Sequence, residues 1–522
     1  MELIKLLGVL IVIVGFALKL DSILIIFLAL IATGIVGGLG VGGLLETIGT
    51  NFVANRSMAI FIMILLVTGT LERNGLREAA ANLIRKVKSA TAGKLVAVYG
   101  MLNALFGAFN VSFGGVAGFI RPVLLPMIEG AISNKEGKAN EDHVEEAKGL
   151  AVAMQNFTWF FFQVLFVGGA GGILVQTTLA GLGYEVELID LAAAEIPVAL
   201  VALVVSCAFV IVKDNKLMKK YYGKSTDTKK LEGGRQMSNL KFIQVGDSFN
   251  AIGLNVVWVI IGLITIYAGI KNLLDKENPS RVGTAVFWCS FGIVCGFGSW
   301  LPAKVSGALV LIMCLPPIFK KVKIGKTDNP TKEHTEQQFK KIGMKIFVPA
   351  FSVAVCSLFF ALFSNMSSMV AITVGVIVAM ILLMAFDAKQ NKPAVFLNDS
   401  ERFLGITGPL SMLPQLLGCL GGVFTAAGVG DVIAQLVEKI VPKGNVNIGI
   451  IVYAIGMVLF TMIMGNAFAA ITVMTVGIGA PFVLAYGANP VVIGMLALTC
   501  GYCGTLLTPM AANFNILPVA IL

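Results

Sequence analysis

Two short stretches of this sequence gather residues able to bind an ion in apolar surroundings. The first is Asn110-Val-Ser-Phe-Gly-Gly115, which offers Asn110, Ser112, Gly114 and Gly115; the second is Gly465-Asn-Ala-Phe468, centred on Asn466. An asparagine supplies an amide donor and a carbonyl acceptor. A chain reversal at such a point presents helix N-termini to an anion and free carbonyls to a cation. Two further stretches, Gly168-Gly-Ala-Gly-Gly172 and Gly501-Tyr-Cys-Gly-Thr505-Leu-Leu-Thr508-Pro509, are expected to break the helices that contain them. Carbonyls freed at Gly169 and Gly171, with the hydroxyls of Thr505 and Thr508, are candidate Na⁺ ligands beside Asn110 and Asn466. The candidate anion set is Asn110, Ser112, Gly114, Gly115, Asn466, Thr505, Thr508 and Arg121. Arg121 directly precedes Pro122 in an apolar arm, where it can hold a carboxylate or reach the membrane surface. Gln155, Asn156 and Thr158 suit hydrogen bonds between helices at least as well as ligation.

Other chemistry is poorly supplied. His143 and His334 sit in polar loops and read as inert, and no His-x-x-x-His or glutamate-containing metal motif is present. Cys500-x-x-Cys503 lacks a second pair or a nearby histidine, and the eight cysteines fall in apolar segments, where packing is their role. No catalytic residue and no cofactor beyond Na⁺ is expected. No carboxylate stands out inside an apolar span as a proton carrier, which favours Na⁺ over H⁺ as the coupling ion.

The elements holding these residues are membrane spans. Of 522 residues 57% are hydrophobic and 13% charged, about half the charged share of a soluble domain. Apolar runs long enough to cross a bilayer include Leu3–Leu18, Ile23–Val41, Ile196–Val212 and Ile346–Phe363. The net charge of +10 lies in loops and follows the positive-inside rule; it is not a nucleic-acid footprint. Lys213–Lys241, with nine Lys/Arg against three acids, and Lys320–Lys345, with eight against three, are expected on the cytoplasmic side. An even number of crossings should then separate them, which needs one span besides Ile252–Ile270, although Thr284–Phe319 reads as two short spans or a pair bent around Pro302.

The chain reads as two halves, 1–222 and 240–522, joined by a cytoplasmic linker at 223–239 that runs into Met237 as though two subunits had been fused. Gly75–Val87 aligns without gaps on Gly428–Ile440. Ser57-Met58, Gly100-Met101 and Asn110 fall in the same order as Ser411-Met412, Gly456-Met457 and Asn466. Arg73–Lys94 carries six Lys/Arg whereas Asp431–Lys443 is neutral, so the repeats point in opposite directions. Each is expected to hold a re-entrant helical hairpin, at about 92–130 and 447–485, followed by a broken span within Leu150–Leu179 or Val491–Leu517. The chain stops in an apolar run at Ile521-Leu522 where the first half has a further span, so a longer natural chain is expected. The fold class is an all-α polytopic membrane protein with two inverted repeats.

Paired hairpin tips, paired broken spans and an amphipathic helix before each hairpin resemble the ion transporter superfamily of elevator carriers, which includes divalent anion/sodium symporters. Their Ser-Asn-Thr tip motif survives here only as Asn110-Val-Ser112 and Asn466-Ala-Phe468. More closely, Met1–Tyr222 and Met237–Leu522 resemble two bacterial permease subunits that commonly occur together. Gly107–Gly115 and Gly501–Asn515 carry that likeness. The resemblance implies 5-oxoproline as a small organic anion substrate, a bacterial inner membrane location, Na⁺- or H⁺-coupled elevator transport and a homodimer in the lipid bilayer. A cation/proton antiporter on the same scaffold, a carrier of another small carboxylate, a channel and an intramembrane enzyme are the rival readings.

Overall fold

A computed structural model describes the chain except residues 1, 19, 86–90, 112–115, 137–139, 223–246, 324, 326–328, 438–444, 465–466 and 509–522. The regular elements of the described residues are helices. Seven helical segments among them are long and apolar enough to cross a membrane: Gly40–Arg73, Leu188–Lys220, Ser248–Leu274, Lys332–Phe363, Ser368–Phe386, Pro393–Ala426 and Pro490–Leu507. The protein is therefore a multi-pass helical membrane protein.

The first half opens with α1 (Leu7–Ala17) and α2 (Ser22–Val36), a hairpin whose second helix is capped by Asp21, its carboxylate accepting from the amides of Ile23 and Leu24. Next come α3 (Gly40–Ala54), a 3₁₀ stretch at Asn55–Ile60, and α4 (Phe61–Arg73). Gly75, in the left-handed conformation, turns the chain into the short α5 (Leu76–Arg85). Then follow α6 (Ala92–Ala108), a π-helical stretch at Val116–Leu124, α7 (Leu125–Glu136), α8 (Glu141–Gln163), α9 (Ala170–Gly181) and α10 (Leu188–Tyr222).

The second half adds α11 (Asp247–Leu274), α12 (Arg281–Phe297), α13 (Ala303–Ile318) and α14 (Lys332–Ile342) before α15 (Phe347–Phe363) and α16 (Ser368–Phe386). The remaining helices of the second half follow in chain order. α17 (Pro393–Thr407), a 3₁₀ stretch at Gly408–Met412 and α18 (Leu413–Ala426) precede a left-handed Gly428 and the short α19 (Val429–Val437). α20 (Val446–Met464), α21 (Ala467–Met474), a π turn at Thr475–Gly479, one turn of α22 (Ala480–Phe482) and α23 (Pro490–Leu507) complete it. The aligned Ser57-Met58 and Ser411-Met412 both sit in the 3₁₀ interruptions, and the aligned Gly75 and Gly428 both make the left-handed turn.

The two interrupted helices lie side by side and run in opposite directions, α3 against α18 and α4 against α17. Their contact holds a buried ionic cluster. Arg73 Nη2 lies 2.8 Å from Asp399 Oδ1, and Arg402 Nη2 lies 3.0 Å from Glu72 Oε2. Asp399 is fully buried and also accepts from Thr70 Oγ1 at 3.3 Å. Beside it the amides of Asn74 and Asn391 exchange hydrogen bonds at 2.7 and 3.3 Å. Isolated charges at this depth would cost several kcal/mol each, and their mutual pairing offsets that.

Three expectations change. Pro302 caps α13, so Thr284–Phe319 forms two helices and, with α11, three helices separate the two basic stretches instead of an even number. α10 ends beside the starts of α6 and α8, through Asp214 against Gly93 and His143. α11, however, starts beside the α15–α16 turn, where Asn250 Nδ2 donates to Asn365 O at 3.0 Å, and ends beside Glu401. The expected linker at 223–239, between those two ends, lies outside the described residues. Third, α8 does break, at 164–169, but α23 runs unbroken through Gly501 and Gly504. It stops only at Thr508, whose extended backbone is what a following proline imposes.

Lys341 Nζ donates to Asp387 Oδ2 at 2.6 Å in the turn after α16, and this bond foremost holds the Asp387 carboxyl below the usual carboxylate range. A depressed carboxyl stabilises the fold above its unfolded value, about pH 4, and that contribution fades as pH falls through the lower folded value. Lys341→Met should therefore lower the thermal midpoint in detergent at neutral pH, by the equivalent of about 1 kcal/mol or less because Lys341 is half exposed. The gap from wild type should close below about pH 4. A gap independent of pH would assign the effect to packing.

Candidate functional site

The first expected tip begins as a helix end made by asparagine. Asn110 adopts φ +53°, its amide donates to Gly107 O at 2.8 Å, and the Val111 amide donates to Phe106 O at 2.9 Å. This pair of bonds is a Schellman ending of α6, and Asn tolerates its left-handed position better than most residues. Ser112, Gly114 and Gly115 lie outside the described residues, as does Asn466. Asn103 Nδ2 ties α6 to α8 through Thr158 Oγ1 at 2.8 Å and Gln155 O at 3.2 Å, so Thr158 serves helix pairing. Arg121 is exposed, and among the described residues it forms no ion pair.

In the second half, Thr508 Oγ1 donates to Met462 O at 2.7 Å, and a Cβ on Gly501 would meet Ala467 Cβ at 3.0 Å. α23 is thus fastened to both arms flanking 465–466. Thr505 Oγ1 donates to Gly501 O at 3.1 Å within its own helix. Gly169 caps α9, its carbonyl accepting from the Ile173 amide at 3.1 Å. Gly171 lets α9 approach α23, since a Cβ there would stand 2.6 Å from the Tyr502 hydroxyl. The structure therefore draws Thr508 and Gly501 to the second tip. Gly169 and Gly171 lie at the start of α9.

Among the described candidates, none lines the polar cavity that the structure contains. That space, about 560 Å³, lies between α3, α9, α18 and the α21 arm, so both halves build it. Its exposed rim includes Glu46, Thr50, Gly181 and Thr425, and its inner end reaches Asn55 and Thr472, both buried. Asn55 opens the 3₁₀ interruption, so the inner end lies where α3 gives way to α4. The walls offer amides (Asn51, Asn55) and hydroxyls (Thr47, Thr50, Thr177, Thr178, Thr425, Thr472). Asn51 Nδ2 donates to Thr47 O and Asn55 Nδ2 to Asn51 O, each at 2.8 Å, which holds the two amides in place. Glu46 is paired with Lys304 at 3.7 Å. Such a lining suits a small polar molecule with its own donors and acceptors.

Glycine makes the amide row possible. A Cβ on Gly418 would stand 2.6 Å from the Asn55 amide group, and one on Gly422 would run into the Asn51 amide. Gly418-Cys-Leu-Gly-Gly422 is thus a small-residue face of α18 against which α3 lays its asparagines.

Beside the ionic cluster of α4 and α17, His143 and Glu195 are among the buried ionisable groups that escaped the sequence reading. His143, expected in a polar loop, is fully buried near the start of α8, with Nε2 3.1 Å from Asp214 Oδ1 of α10. Glu195, one residue before the expected span Ile196–Val212, is 2% exposed and meets Thr499 of α23. A carboxylate does therefore lie within a helical span. Its position on α10, which starts eight residues before that apolar run, was the available signal.

Gly422→Leu should force Asn51 aside and part α3 from α18, lowering stability in detergent by about 1–3 kcal/mol. Unchanged thermal unfolding of this variant would contradict the close approach.

The family model described as "Protein of unknown function (DUF969)" matches residues 3–218, and that described as "Protein of unknown function (DUF979)" matches residues 255–522. The interval between the matches contains the expected linker at 223–239. No curated protein matches the chain. The chain accordingly belongs to the DUF979 family of proteins of unknown function, and carries a DUF969 unit ahead of it in the same polypeptide.

Proposed function

We propose that the protein is a secondary active transporter that carries a small organic carboxylate, 5-oxoproline in the first instance, by cation-coupled elevator movement. The observation that carries this reading is the polar cavity that both halves of a helical membrane protein build around an interrupted helix pair. Amides and hydroxyls match the lactam and carboxylate of 5-oxoproline, and glycine faces leave room for it. The substrate itself, the homodimer and the bacterial inner membrane rest on the sequence resemblance.

Inverted repeats are supported by the matching element order and the antiparallel pairing of α3/α4 with α17/α18. Thr335 Oγ1 of α14 donates to Glu78 Oε1 of α5 at 2.6 Å, which joins the basic stretches Lys320–Lys345 and Arg73–Lys94 on one face. By charge that face is cytoplasmic. The cavity rim, at the opposite end of α3 and α18, is then external, as uptake requires. The hairpin and broken-span helices α6–α9 and α20–α23 form the moving body, and α3, α4 and α10–α18 form the scaffold. Asn110, Asn466 and Thr508 remain the proposed cation site at the tips.

In proteoliposomes, labelled 5-oxoproline should accumulate under an imposed Na⁺ or pH gradient. Asn51→Ala should cut the rate at least about tenfold, as expected for loss of a positioned hydrogen bond in a closed site, without reducing the protein incorporated. Normal uptake by Asn51→Ala would remove the cavity as the substrate site. In a cysteine-free background, Glu336→Cys should react only from the cytoplasm and Asp431→Cys only from outside; reaction of both from one side would refute the inverted orientation.

A further inference from the structure

Glu195 lies in the second turn of α10 with 2% of its surface exposed, and it faces Thr499 at the midpoint of the membrane-crossing α23. Its Oε2 is 3.0 Å from Thr499 Oγ1. The same hydroxyl lies 2.8 Å from Met495 O, its i−4 carbonyl. A threonine hydroxyl has one hydrogen. If that hydrogen serves Met495, the contact to Glu195 is satisfied when the carboxyl carries its own proton and donates it to Thr499 Oγ1. Each hydrogen is then used once.

Among the described residues, the surroundings give an ionised Glu195 no other partner. The ion pairs of α10 lie at its other end, Lys213 with Glu146 at 3.2 Å and Asp214 with His143. Lys94 of α6 also belongs to that end, next to Gly93, which packs on Asp214. α9, which packs against both α10 and α23, has no titratable side chain. α23 brings Cys500, Tyr502 and Cys503 within electrostatic reach, none of them a cation. Burying a carboxylate without a partner is costly, and within a membrane such a group marks an ion path. Loss of the proton leaves the charge at most the one hydrogen of the Thr499 hydroxyl, which favours separation of α10 from α23, where water or a cation can serve the charge. α10 belongs to the DUF969 match and α23 to the DUF979 match, so this site exists only when the two units are assembled.

We propose that Glu195 is a proton-binding site that couples transport to a pH gradient, holding its proton against Thr499 while α10 and α23 touch and exchanging it with water when they part. The proposal rests on the carrier reading above and names its coupling ion. The test has two arms on the full chain. In the first, infrared difference spectra of purified wild type and Glu195→Gln are recorded across a pH titration. A protonated-carboxyl band at neutral pH in the wild type, missing in Glu195→Gln, is expected; its absence from the wild type overturns the proposal. The second arm uses 5-oxoproline in proteoliposomes. Glu195→Gln should lose accumulation driven by a pH gradient yet still exchange internal for external substrate, and Glu195→Asp should recover part of the accumulation. Accumulation by Glu195→Gln, or a wild type that exchanges substrate but ignores the pH gradient, overturns the proposal. A wild type that neither accumulates nor exchanges 5-oxoproline removes the substrate reading, and the infrared arm then decides the proton site alone.

Discussion

Inside a bilayer, every backbone N–H and C=O must find a partner within the protein. That constraint decides where this chain can leave the α-helix. Its interruptions at Asn55–Ile60 and Gly408–Met412 lie on helices packed directly against each other, within protein. The Asn55 amide donates back to Asn51 O at the first, and the Ser411 hydroxyl to Gly408 O at the second. The end of α6 closes its own carbonyls with a left-handed asparagine and is pinned to α8. The end of α23 is pinned through Thr508 to α20. Apolar helix faces such as Val201, Val204, Val205 and Phe209 of α10 are left bare, as lipid contact demands.

The same scarcity of water governs the charges. Arg73, Asp399, Arg402 and Glu72 form one cluster across α4 and α17, which ties the first half to the second by groups that would be costly apart. The polar cavity lies at the other end of that helix pair, where glycine on α18 replaces charge as the device that admits polar side chains. One helix pair thus holds a rigid ionic contact at one end and open polar space at the other. Glu195 stands outside this pattern, since it is buried between α10 and α23 with a single hydroxyl as partner among the described residues. It is the carboxyl on which the proposed proton coupling turns.

Much of the fold was legible because membrane segments announce themselves by composition and interruptions by glycine and proline. Gly75 and Gly428 were aligned from sequence, and both take the left-handed turn that glycine alone adopts freely. The α8 break followed from glycines, but the equivalent run in α23 stayed helical. Gly501 and Gly504 there admit Ala467 and Thr461 against the helix, so packing outweighed the low propensity of glycine. The cavity was not legible, because Asn51 and Gly422 are 371 residues apart and meet only through the fold. His143 was misplaced and Glu195 overlooked for a related reason. Glu195 stands at the edge of an apolar run and His143 in a polar stretch, and sequence alone cannot say whether another helix will cover either.

The measurement that tests the cavity most directly is protection of a cysteine at its rim. Thr425 is exposed and lines the cavity, so Thr425→Cys in a cysteine-free background should react readily with a small alkylating reagent. Saturating 5-oxoproline should slow that reaction, while a structurally similar neutral lactam without the carboxylate should protect less. An alkylation rate indifferent to 5-oxoproline, in protein shown to be folded, would contradict the assignment of the substrate to this cavity.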